Sequence, residues 1–135
     1  MSEREILFRG KIIELCKYQG QWLEGFFGSD NGKTFIAIQN ENGLNGYFCD
    51  SKTVGQYTGL TDKNGTRIFE GDIVKQEFSK FRQSTNEICE FHDGSFGLKI
   101  KDLGIEKFLP FACICNATYK VIGNIYDNPE LLKGD

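Results

Sequence analysis

Strict alternation of apolar and polar positions recurs along this chain, while the three-to-four-residue spacing of an amphipathic helix is nearly absent. The clearest stretch is Ser95-Phe96-Gly97-Leu98-Lys99-Ile100-Lys101. In an extended strand Phe96, Leu98 and Ile100 share one face and Ser95, Lys99 and Lys101 the other, so one side is buried and one is wet. Asp93-Gly94 stands just before it, preceded by the strand-like run Glu87 to His92. Asp-Gly between two such runs predicts a hairpin with a type I′ turn, whose two central residues both need positive φ. Trp22 to Phe27 and Thr34 to Ile38 flank Ser29-Asp30-Asn31-Gly32-Lys33 and predict a second hairpin. Thr58-Gly59-Leu60 and Thr66 to Phe69 flank Asp62-Lys63-Asn64-Gly65 and predict a third. Glu70-Gly71-Asp72 reads as a turn feeding Ile73-Val74-Lys75, with Asp72 accepting backbone N–H groups. Lys120 to Tyr126 is the last strand, after which Asn128 can cap and Pro129 can open a short helical turn. Gly43-Leu44-Asn45-Gly46 reads as an exposed loop between an N-terminal hairpin region (about 1–50) and a main sheet (about 51–135). The pattern therefore predicts one all-β, mainly antiparallel domain over 1–135, closed as a small barrel or roll, with a short C-terminal helical turn.

Composition narrows the function more than the fold. Hydrophobic residues at 39% and charged residues at 26% fit a globular chain, and 135 residues suffice for a core without metal or disulfide support. The net charge of −3 offers no general attraction to phosphates. Residues Met1 to Glu5 are charged and no apolar signal core follows, so no secretory leader or membrane span is expected. Five cysteines without framework spacing are then expected as free, mostly buried thiols in a cytoplasmic protein.

In order along the chain, several blocks resemble the YopX family of bacteriophage and prophage proteins. They are Phe8-Arg9-Gly10-Lys11, Trp22-Leu23-Glu24-Gly25, Thr53 to Leu60, Asp62-Lys63-Asn64-Gly65, Ile68 to Val74 and Val121 to Leu132. Residues 12–20 and 76–92 and the pair Cys113 and Cys115 fall outside them. The resemblance implies an SH3-like roll in the main sheet, a mobile-element accessory protein in a bacterial host cell, and no defined catalytic residue.

The residues themselves support several chemistries unequally. Cys89, His92 and Asp93 could compose a nucleophile, base and orienting group, but positions 89 and 92 have opposite strand parity and point to opposite faces. Cys89 and His92 with Cys113 and Cys115 supply a zinc-compatible set, yet alternate residues of a strand stand wide for one zinc shell. Neither cofactor, metal nor catalytic residue is therefore expected, and the chain reads as a non-enzyme. A single-stranded nucleic-acid interface would use Trp22, Tyr57, Phe78 and Phe81 with Lys75, Lys80 and Arg82, against the overall acidity. Twelve Phe and five Tyr are many for a small roll, and aromatics exposed together mark partner sites. Open sheet edges offer a second route to self-association or strand addition. Binding of a protein partner, or of itself, is the favoured reading, with Arg9, Gln56, Tyr57 and Asp62 as the expected surface patch.

Overall fold

The computed structural model describes residues 5–77, 85–102, 105–111 and 118–132. The chain divides into two compact units, Met1–Tyr57 and Thr58–Asp135. The first contains β1 (Phe8–Lys11), β2 (Trp22–Asp30), β3 (Lys33–Asn40), β4 (Gly43–Phe48), a 3-10 turn at Ser51–Thr53 and the start of β5 (Gly55–Thr61). The second contains the rest of β5, then β6 (Arg67–Phe69), β7 (Asp72–Glu77), β8 (Thr85–His92), β9 (Ser95–Asp102), β10 (Ile105–Pro110), β11 (Thr118–Asn124) and a 3-10 turn at Pro129–Leu132. The all-β, antiparallel architecture and the closing helical turn are those the alternation predicts. Among the described residues no helix is long and apolar enough to cross a membrane.

In the first unit the sheet runs β4-β3-β2-β1-β5, with β6 next to β5 beyond the boundary. Turn chemistry fixes its register. Asn31 and Gly32 both take positive φ, 50° and 79°, so Asp30 pairs with Lys33 and every later rung follows, up to Phe26 opposite Ala37. Counted from these rungs, Leu23, Ile36, Ile38 and Tyr47 share the face that buries Ile12, Ile36 and Cys49, with Phe8, Tyr18 and Val54 packed around them. The residues after β1 and after β4 meet at one isolated bridge, Ile12 with Cys49.

In the second unit the order is β10-β9-β8-β7-β11. Asp93 and Gly94, at φ 49° and 83°, make the turn between β8 and β9, and Phe91 pairs with Phe96 and Cys89 with Leu98. Ile68, Val74, Cys89 and Leu98 are buried together, with Ile100, Phe111, Tyr119 and Val121 against them. At the turn into β7, Gly71 has φ 90°, and the buried Asp72 carboxylate accepts the N–H of Phe69 at 2.8 Å, as its position predicts. Buried Gln76 donates its side-chain amide to the buried Glu87 carboxylate at one end of this core face.

Two expectations are corrected. Neither sheet closes into a barrel among the described strands: closure in the first unit stops at the single Ile12–Cys49 bridge, and β10 and β11, at opposite edges of the second sheet, do not pair. The segment Gly43-Leu44-Asn45-Gly46 is not a loop but most of β4, paired with β3 from Asn40–Gly43 through Phe35–Phe48.

Candidate functional site

β4 is poor strand material by composition, with two glycines and an asparagine in its first four residues. Its neighbours hold it extended. The Asn40 carboxamide oxygen accepts the N–H of Asn42 at 2.9 Å and the side-chain amide of Asn45 at 3.1 Å, clamping the hairpin start. The Phe35 ring lies across Gly46, where an added Cβ would meet ring carbon Cδ2 at 2.9 Å, and across Gly28 on the opposite neighbour strand. An aromatic ring laid over glycine on a flanking strand supplies the packing the glycine lacks.

The direction of the β4 backbone groups follows from its bonds. The N–H of Cys49 donates toward β3, to the Thr34 carbonyl at 2.9 Å. One residue earlier everything reverses: the N–H of Phe48 donates outward to the Glu14 carboxylate at 3.0 Å. The Phe48 carbonyl accepts outward from the N–H groups of Ile13 and Glu14 at 3.0 and 3.2 Å. Antiparallel strands alternate strictly in this respect, so Gly46 and Leu44 also present N–H and C=O outward. β4 ends the sheet order, and among the described residues no strand pairs with that side of Leu44 and Gly46. The open stretch is short, because Glu14 closes it at Phe48 and Asn40 satisfies the N–H of Asn42.

Side chains around this edge are apolar and exposed. Leu44 is 60% and Phe26 62% exposed. Phe26 pairs with Ala37 and Ala37 with Gly46, so the three share one face with Phe35, whose ring covers Gly46 beside buried Ala37. Beyond Phe48, Ile13, Glu14, Lys33, Thr34, Cys49, Asp50 and Ser51 line a cleft of about 520 Å³. Lys33 lies over the Phe48 ring at 5.3 Å, and Asp50 accepts the N–H of Lys52 at 3.1 Å. Burial, then the Asp50 charge, raise the Cys49 thiol above its ordinary value, so it is protonated at neutral pH.

The expected surface patch does not assemble as foreseen. Arg9 lies on β1 opposite Gly55, its guanidinium 4.9 Å over the Trp22 ring, and half-buried Gln56 pairs with Phe8. Tyr57 is 8% exposed and so leaves the surface set. Asp62, in the second unit, is 7% exposed and holds its own fold. One carboxylate oxygen accepts the N–H groups of Asn64 and Thr66 at 2.8 and 2.9 Å, and the other that of Val121 at 2.9 Å. Burial opposes ionisation, but the N–H groups of Val121, Thr66 and Asn64, with Lys120 nearby, outweigh it and hold the carboxyl below its ordinary range.

The other chemistries stand apart. Cys89 is buried in the second unit's core while exposed His92 sits 3.3 Å from Asp93, so the three are not brought together. Among the described residues no three His, Cys, Asp or Glu side chains could share a metal ion. Cys113 and Cys115 lie outside the described residues, as do Phe78, Lys80, Phe81 and Arg82 of the expected nucleic-acid segment; Lys75 is half-buried on β7. Sequence reasoning missed β4 itself, whose one local signal was the apolar Leu44, Tyr47 and Phe48 among glycines.

Comparison with known proteins places this arrangement in context. The family model described as YopX protein matches residues 8–133. The crystal structure of protein EF1440 from Enterococcus faecalis is similar at 26% identity and a TM-score of 0.55, covering 97% of this chain and 100% of that one. The crystal structure of protein yopX from Bacillus subtilis shares the fold, at 19% identity and a TM-score of 0.62, with coverage of 97% and 100%. No curated protein matches the sequence.

Proposed function

The chain belongs to the YopX family, and on that footing we propose that it is a non-enzymatic accessory protein of phage type that works by binding protein through the open edge of β4. The observation that carries this reading is the outward backbone of Leu44 and Gly46, left unpaired beside exposed Leu44 and Phe26. Strand addition to such an edge draws affinity from main-chain hydrogen bonds and selectivity from alternate side chains. Natural edges that are not used this way are blunted by proline, inward charges or a covering segment, and Gly43 to Phe48 contains no proline and no charge. The acidic balance of the chain disfavours a generic grip on nucleic acid.

The test is affinity capture from bacterial lysate with the tagged full chain and with a Leu44→Pro variant, each with and without nuclease. Proline at 44 removes an outward N–H that β3 does not use, so the sheet is expected to survive. Proteins retained by the parent, insensitive to nuclease and lost with Leu44→Pro support the reading. Retention that is identical in the two chains, or that nuclease abolishes, overturns it.

A further inference from the structure

The open stretch of β4 has a shape that selects its own copy. It contains two outward-facing residues, Leu44 and Gly46, placed symmetrically about Asn45. At one end the Phe48 N–H and C=O are already taken by Glu14 and Ile13. At the other the N–H of Asn42 is taken by the Asn40 side chain. A long foreign strand would need rungs at both closed positions. A short, two-fold pairing needs neither.

Resting on the edge-binding reading, we propose that the chain forms a homodimer in which β4 pairs antiparallel with β4 of a second copy, the two-fold axis passing beside Asn45. Leu44 then lies opposite Gly46 of the second copy, and Gly46 opposite Leu44 of the second copy. Both are hydrogen-bonded pairs in which each residue donates its N–H to the other's carbonyl. This register alone satisfies every outward group that the fold leaves open between Asn42 and Phe48. It also sets a bulky residue against one without a side chain. Each Leu44 then lies beside the Phe35 ring that covers Gly46 of the other copy, on the face that also carries exposed Phe26. On the opposite face the two Asn45 side chains meet across the axis as a non-hydrogen-bonded pair, with Cβ atoms about 4.5–5.5 Å apart. The pairing ends where the other copy's hairpin tip reaches Glu14, which occupies the next rung.

Sedimentation of the untagged full chain over a range of concentrations reads the association, and an Asn45→Cys variant reads the register. A concentration-dependent dimer is expected, weakened at least about tenfold by Leu44→Pro. A Leu44→Lys variant, which would set a charge against the Phe35 ring of the other copy, gives the same loss should proline disturb the strand. Asn45→Cys is expected to oxidise to a covalent dimer that the parent, with its native thiols, does not form and that Gln39→Cys, one strand further in, does not reproduce. A monomer at all concentrations, or a dimer insensitive to both Leu44 substitutions, overturns the proposal. If the monomer result comes with lysate partners that Leu44→Pro abolishes, self-pairing falls and edge binding stands. If Leu44→Pro changes neither experiment, both fall.

Discussion

At one edge of the second unit's sheet, β11 turns the carbonyl of Tyr119 and the N–H of Val121 outward, and both find partners in a single turn. The N–H of Lys63 donates to Tyr119 at 3.0 Å, and the Asp62 carboxylate accepts from Val121 at 2.9 Å. At the opposite edge β10 carries Glu106, held 3.3 Å from Lys99, and ends in Pro110, which has no N–H to offer. The first unit meets the same physical problem at β4 and solves it only at the ends, with Glu14 and Asn40. An unpaired row of backbone groups is a liability that folds manage wherever it serves no purpose. The contrast between the bonded outward groups of β11 and the open stretch of β4 is what the edge-binding proposal rests on.

If the units differ in their edges rather than their interiors, truncating their cores should cost the same. Ile36→Ala in the first and Leu98→Ala in the second each delete a fully buried aliphatic side chain. Each is expected to lower stability by about 2–5 kcal/mol, read as the shift of a urea unfolding curve. A cost under about 1 kcal/mol at either site would break the premise that both interiors are closely packed. The next effect is at the seal. Asp62→Ala leaves the N–H groups of Asn64, Thr66 and Val121 without their acceptor, a loss of about 2–4 kcal/mol. It also exposes a β11 edge and is expected to add self-association that Leu44→Pro does not remove. Unchanged stability would mean that the turn does not hold β11.

The same carboxylate makes the seal dependent on pH. Its pKa in the folded chain lies below the ordinary value of 3.8, so its contribution is fully present above that value. It is lost as pH falls from there through the lowered native value, because the unfolded chain binds the proton first. Unfolding curves from pH 6 down to strongly acidic pH should show this loss in the parent and a flatter profile in Asp62→Asn. Parallel profiles would assign the acid sensitivity elsewhere.

Much of this frame was legible because turn chemistry is local. Asp93-Gly94 announces a type I′ turn within two residues, and Ser29 to Lys33 announces a reversal that the structure tightens to Asn31-Gly32, with Asp30 and Lys33 already in the strands. What was not legible depends on partners distant in sequence. Asp62 sits in a polar turn and reads as a surface residue, yet its decisive bond is to Val121, 59 residues away. Tyr57 follows Gln56 in a strand whose two faces cannot be told apart by residue type. β4 was lost for the same reason: Gly43 and Gly46 signal a loop, and only the Phe35 ring and the Asn40 clamp, both on β3, make them a strand.

The smallest expected effect on stability bears most directly on how the open stretch is bounded. Glu14 caps the Phe48 N–H from 34 residues away, so Glu14→Gln, which keeps an acceptor in place, should change stability by less than about 0.5 kcal/mol. Glu14→Ala should cost about 0.5–1.5 kcal/mol, since water replaces the lost acceptor at a partly exposed site. The informative readout is amide exchange. In Glu14→Ala, at concentrations where the chain is monomeric, the Phe48 N–H should exchange with the speed of the Leu44 and Gly46 amides, while Tyr47, bonded inward to β3, stays slow. If Phe48 remains as protected as Tyr47 without Glu14, its N–H has another partner. The open stretch would then be bounded by the β4 backbone itself, and the second unit's device, a carboxylate closing a strand edge, would have no counterpart in the first.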